Sequence, residues 1–298
     1  MRKILGTAFV FAVIFSSAGM ALCAQAIMFQ PVVSIYTDGD GQGLLSPEDV
    51  ACTATSVVVA DTGNDRLVRY SLAGNEVKYV SQSKVSQLPS PIRVQIDSKG
   101  EILALSGKSR RIVRLGADGQ FLANFDLKNV PQGDTVVQRS FKLDKKDNVY
   151  VLDIYGGRVI VLGPQGEFIR QIACPKEFGS FADLAVDSGG TVYLVDSANS
   201  QIHSAGKDAK SFSPLTQSMK EQIGFPTYIT TDNMGLLYVT DQNGGKIILL
   251  GQDGSFKGQK AGRGWVEGLL NYPVGVCLNG SGYAFVADRN NNRVQIFR

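Results

Sequence analysis

An acid and a base recur five residues apart along this sequence: Asp61 and Arg66, Asp153 and Arg158, Asp241 and Lys246, Asp288 and Arg293. Four such pairs would make either a ring of charged ligand contacts or an internal device that the chain uses repeatedly. Each pair brackets a polar, mostly Gly- or Asn-bearing stretch, where a carboxylate can accept hydrogen bonds from a tight turn and from its basic partner. We therefore assign these residues to structure, as turn pairs. Catalytic chemistry has little else to draw on. His203 is the only histidine, so a multi-histidine zinc centre cannot be built. A Ser-His-Asp constellation would need that same imidazole, which sits in the strand-like run Gln201-Ile202-His203-Ser204.

Two further clusters invite a site. Residues 38–49, from Asp38 to Asp49, offer oxygen ligands at positions one, three and five, glycine at six and an acid at twelve, the layout of a calcium loop. Yet position twelve is aspartate rather than the longer glutamate, and no flanking helices are apparent. The stretch also lines up with residues 262–273, which reads as a glycine-rich connector used twice. No metal is assigned. Lys108, Arg110, Arg111 and Arg114 form the densest basic patch. On a strand Arg110 and Arg114 would share a face. Without aromatic stacking partners, the patch reads as a solvated outer face rather than a nucleic-acid surface.

The elements that must position these residues come from an internal repeat. A short apolar run recurs with its last position at Asp61, Ser106, Asp153, Asp196, Asp241 and Asp288, at spacings of 45, 47, 43, 45 and 47 residues. Upstream of each lies a second apolar run ending at Thr53, Asp97, Asp144, Asp187, Asp232 or Asn279. Downstream come a polar turn, a third run that is usually β-branched, a further turn and a fourth run. Four short strands in each unit is the pattern of propeller blades, four-stranded antiparallel sheets stacked around a channel. The expected fold is all-β, a six-bladed β-propeller. Helical periodicity is confined to the insert at 213–224. The sixth unit stops after its third strand, so residues 31–36 are expected to supply its outer strand and close the ring.

The units resemble the NHL-repeat family, with the form P-x-x-V…D…V-x-V-A-D-x-x-N-x-R-V-x-x-F. Pro47 to Tyr70 and Pro273 to Phe297 carry it best, while Ser106 and Gln201 depart from it. The resemblance implies contact through a propeller face rather than a particular chemistry. The residue just before each innermost strand is expected to point to the channel mouth, which makes Asp49, Arg93, Ser140, Asp183, Tyr228 and Gly275 the candidate ligand contacts. Cys52 and Cys277 fall on the innermost strands of the first and last units, where a disulfide would clamp the closure.

Composition sets the rest. With 44% apolar and 19% charged residues, the chain can bury a large core. Arg2 and Lys3, an apolar stretch and Ala24-Gln25-Ala26 give residues 1–26 the layout of a signal peptide, leaving 27–298 as one domain. That leader holds two bases and no acid, so 28 Lys+Arg face 27 Asp+Glu in the remainder, too even for a long-range field toward nucleic acid. Cys52, Cys174 and Cys277 outside the leader allow one disulfide and one free thiol. The expectation is an exported, monomeric, non-enzymatic propeller, without a cofactor and not inserted in a membrane once the leader is cleaved; an uncleaved leader would instead anchor it at its N-terminus. It would sit in the periplasm, on the outer surface or outside the cell, and bind a protein of the envelope. Two alternatives stand beside it. One is a metal-dependent lactonase or esterase of the six-bladed class, with Asp49 and Asp183 on a channel cation. The other is a carbohydrate-binding or purely structural propeller.

Overall fold

A computed structural model describes residues 29–176 and 179–298; the leader expected over 1–26 lies outside the described residues. Six four-stranded antiparallel sheets account for nearly all regular structure, and helix among the described residues is limited to three single 3-10 turns. Blades one to five run over residues 49–83, 91–124, 138–173, 181–214 and 226–260. Blade six takes Pro273–Leu278, Ala284–Asp288 and Arg293–Phe297 from one end of the chain and Pro31–Ile35 from the other.

The apolar runs are continuous because the inner strands are buried on both faces. In Ser56–Asp61, Val57 and Val59 pack toward blade six, whereas Val58 and Ala60 pack toward blade two. Each of the six blade-to-blade seams holds one cluster of this kind. The core is thus a ring of six sandwiches around an axis. Outer strands meet water on one side and alternate accordingly, as in Glu76–Ser83.

The acid that ends each upstream run has a local task. Asp97 Oδ1 accepts the N–H groups of Lys99 and Glu101, both at 2.9 Å, and Asp144, Asp187, Asp232 and Asn279 repeat the arrangement. These Asx turns build the hairpin between the first and second strands.

Closure occurs twice. Pro31–Ile35 pairs antiparallel with Arg293–Phe297, and Ile35 is buried in the seam between blades six and one. Beside it Cys52 and Cys277 form a disulfide across the same seam, with their Cα atoms 5.9 Å apart, and Cys174 remains a buried free thiol. The insert at 213–224 is not helical. It opens with a two-residue outer strand, Ser213–Pro214, and continues in turns, since Pro214 lacks an amide donor and its apolar residues Leu215, Met219 and Ile223 are spent covering blades four and five.

Candidate functional site

The turn pairs sit at the end of the wheel where the second strand of each blade turns into the third. Arg66 Nε is 2.7 Å from Asp61 Oδ2, Arg158 Nε 3.0 Å from Asp153 Oδ2 and Arg293 Nε 2.8 Å from Asp288 Oδ2. Lys246 Nζ is looser, 3.9 Å from Asp241 Oδ2. Each carboxylate also accepts an N–H from the connector entering its own blade. Asp61 takes Leu45, Asp153 takes Val137, Asp196 takes Ser180, Asp241 takes Phe225 and Asp288 takes Asn271, at 2.7 to 3.0 Å. The acid therefore ties turn to connector, and ligand contact is not its geometry. In blade two Ser106 stands in for it, its hydroxyl donating to Pro89 O at 2.6 Å. His203, on the third strand of blade four, lies 4.0 Å from Asp196 and edge-on to Phe181.

The six channel candidates do converge within the channel, and Arg93 also reaches its mouth. Asp49, Ser140 and Asp183 are completely buried, and Arg93 and Tyr228 nearly so. Asp49 gets there on a strand in unbroken register; in blades two to six a register shift lies near the start of the inner strand, as between Pro91 and Arg93. With or without that shift, these side chains face the lumen. There Arg93 Nε donates to Ser140 Oγ at 3.3 Å, and Ser140 donates to Asp183. Arg93 and Lys142 each stand 3.6 Å from an Asp183 oxygen. Asp49 accepts the Val94 N–H at 2.9 Å and Asp183 the Ile229 N–H at 3.0 Å, each carboxylate reaching the inner strand of another blade. Lys142 Nζ lies 3.7 Å from the ring centre of Tyr228, a cation–π contact. Gly275 completes the ring because a Cβ there would fall 2.7 Å from the Asp49 Cα.

Two acids and two bases, almost wholly buried, make this a neutral plug. Burial pushes the Lys142 ammonium below its ordinary range, against the pull of Asp183 and Asp49. It likewise raises the Asp49 carboxyl, with Lys142 and Arg93 pulling the other way, and lifts the Tyr228 phenol well above its usual value, helped by the charges of Asp49 and Asp183. Lys142 was not among the candidates, although it lies two residues beyond Ser140 on the same strand face.

Residues 38–49 do not surround one point. Asp38 accepts from Arg66 Nη1 at 2.6 Å and from the N–H groups of Asp40 and Gln42, while Asp49 is in the channel. Thr37 forms an antiparallel bridge to Gly43 here, and Arg263 a parallel one to Leu270 in 262–273; both stretches are connectors. Among the described residues no group of three or more His, Cys, Asp or Glu side chains is arranged to hold a metal ion.

Above the plug opens a cavity of about 470 Å³ whose lining includes Glu48, Arg93, Lys108, Arg110, Arg139, Phe225, Thr227 and Arg289. Within the full lining, 48, 92, 139, 227 and 274 lie one residue before channel positions, and 62, 107, 242 and 289 just after a second strand. That recurring offset was the signal that could have found them. The basic patch divides here, correcting its reading as one solvated face. The third strand of blade two begins only at Ile112, so Arg110 belongs to the turn, with φ of 54°. Lys108 and Arg110 line the mouth, whereas Arg114 pairs with Glu101 at 2.6 Å and Asp97 at 3.2 Å. The exposed Tyr155 and Trp265, from a turn of blade three and the connector into blade six, lie at this same end of the wheel.

The NHL-repeat pattern matches residues 270–297, the last blade. Human NHL repeat-containing protein 3 is 29% identical over 125 residues, covering 41% of this chain and 30% of that protein. The mouse protein is 24% identical over 211 residues, covering 68% and 50%. The chain thus spans half or less of the length of these relatives. Among solved structures, a gluconolactonase from Xanthomonas campestris superposes with a TM-score of 0.64 at 13% identity, over 89% of this chain and 87% of that one. A streptogramin B lyase gives 0.62 at 14%, over 85% and 93%; at such identities these two share the fold alone. The chain is thus a six-bladed β-propeller, ring-closed by its first strand, that carries an NHL repeat in its last blade and is similar to NHL repeat-containing proteins.

Proposed function

We propose that this protein is an exported, non-enzymatic binding module that offers the mouth-bearing end of its wheel to a protein partner or ligand in the cell envelope or beyond. What supports this most is the committed state of the channel. Asp49 and Asp183, the acids a channel cation would need, already hold backbone N–H groups and face Arg93 and Lys142. An entering divalent ion would meet two resident positive charges, so the donor set is a poor fit for one, and no hydrolytic step is derived through a metal. The exposed Tyr155 and Trp265 favour contact with a partner, because large, rigid aromatics anchor interfaces. The Cys52–Cys277 disulfide favours an oxidising compartment.

The test joins two measurements on purified 27–298 protein. Metal analysis with a screen of lactones and esters should give no stoichiometric ion and no turnover. Affinity capture from envelope extracts should retain one partner that a Tyr155→Ala/Trp265→Ala variant loses. Turnover of a lactone or ester with a bound divalent ion would overturn the reading in favour of a hydrolase.

A further inference from the structure

Resting on that reading, we infer that the channel mouth is a binding site for a small molecule carrying a carboxylate or phosphate group. Five cationic side chains line it: Arg93, Lys108, Arg110, Arg139 and Arg289. Arg93 is balanced within the plug below, and Arg289 pairs with Glu48 at 3.2 Å. Glu48 is the only carboxylate among the described residues of the lining. Lys108, Arg110 and Arg139 form no ion pair with any described residue, and Arg110 Nη1 is buried without a hydrogen-bond partner. Burial, and then repulsion from Arg93 and Arg110, lower the pKa of the Arg139 guanidinium. Crowded like charges of this kind cost stability until an anion joins them.

Two observations point to a ligand rather than to a solvated edge. Thr227, in the same lining, is only 8% exposed, and its hydroxyl has no partner. The second is where Arg110 sits. The equivalent left-handed turn position is Asp65, Gly157, Ser200, Gly245 and Asn292 in the other blades. These small residues suit that backbone, whereas a long side chain there is strained. Blade two accepts the strain and thereby puts a guanidinium at the cavity. Guanidinium groups match planar carboxylates and phosphate oxygens in paired hydrogen bonds. Ile92, Val274 and Phe225 supply an apolar wall, and the volume suits a small molecule.

Calorimetric titration of the 27–298 protein with inorganic phosphate and, separately, citrate tests this. We expect saturable one-to-one binding that weakens as sodium chloride is added. Arg139→Gln and Arg110→Gly should each weaken it by about tenfold or more. Arg110→Gly should also raise the melting temperature of the free protein, showing that the lost affinity is not lost folding. Lys78→Gln, on the exposed outer strand of blade one, should bind as the parent does. Absence of saturable binding by both anions, or unchanged affinity in both arginine variants, would overturn the assignment. So would binding of a glutamate-rich peptide by a protein that ignores phosphate and citrate, which would give the mouth to an acidic protein segment. Envelope capture that persists without anion binding sinks this inference and leaves the binding-module reading intact; lactone turnover does the reverse.

Discussion

Paired charges in this protein differ in worth according to how far they are removed from water. Arg293 and Asp288 are both buried, so truncating Asp288 to alanine strands a desolvated guanidinium and the Asn271 N–H, at a cost of about 3–5 kcal/mol. Lys246 is partly exposed and more distant from its acid, and Lys246→Met should cost less than about 1 kcal/mol. Urea denaturation of the two variants checks this order; equal losses would show that burial does not set the worth of a pair. A second prediction concerns alkali. Burial, and then the Asp187 carboxylate, push the Tyr193 phenol from 10.0 up to about 12. The unfolded chain therefore releases this proton near 10 while the folded chain keeps it. The resulting stability is complete below pH 10 and is lost as pH climbs toward 12. Tyr193→Phe should show a shallower fall of melting temperature across that window, and an identical slope would refute it. At this scale the sequence was half legible. The turn pairs could be read because each repeats the same bonding task. Of the channel residues Arg93 does line the mouth; the depth of the others in blades two to six goes with bulges that spacing does not reveal, whereas Asp49 is as deep on a strand without one. Arg110 was assigned to a strand because nothing local marks Ile112 as its start.

Among the elements, the leading strand Pro31–Ile35 carries the most consequence for its length. It adds the fourth strand of blade six, and Ile35 faces the seam against blade one. Ile35→Asp would bury an unpaired carboxylate there and should lower stability by about 3 kcal/mol or more, with Val33→Lys costing less because Val33 is only half-buried. A chemical-denaturation midpoint unmoved by Ile35→Asp would show that the strand is dispensable. This element was legible because the sixth unit visibly lacks a strand. The insert at 213–224 was not, since its apolar spacing suits a helix as well as a covering loop, and only packing on blades four and five decides between them.

For the whole molecule, stability depends on keeping a ring shut. Each blade is buried only while its neighbours stay in place, and the seam between blades six and one is the one seam that joins strands distant in sequence. The Cys52–Cys277 bridge spans 225 residues across that seam. Replacing both cysteines by alanine should cost about 2–5 kcal/mol, and scanning calorimetry would detect it as a lower melting temperature. No change would assign closure to the leading strand alone. Blade number was legible because six copies leave six counts, and which seam closes followed from where the copies begin. The wheel also has a consequence for timing. The strand that completes the circle is made early, and its partner Arg293–Phe297 is made some 260 residues later. Until then the early strand has nothing to pair with, and blades one and six each keep one flank open to water. The molecule is therefore most exposed to mispairing as Arg293–Phe297 emerges, when one short segment must find another and every earlier sheet is waiting for it.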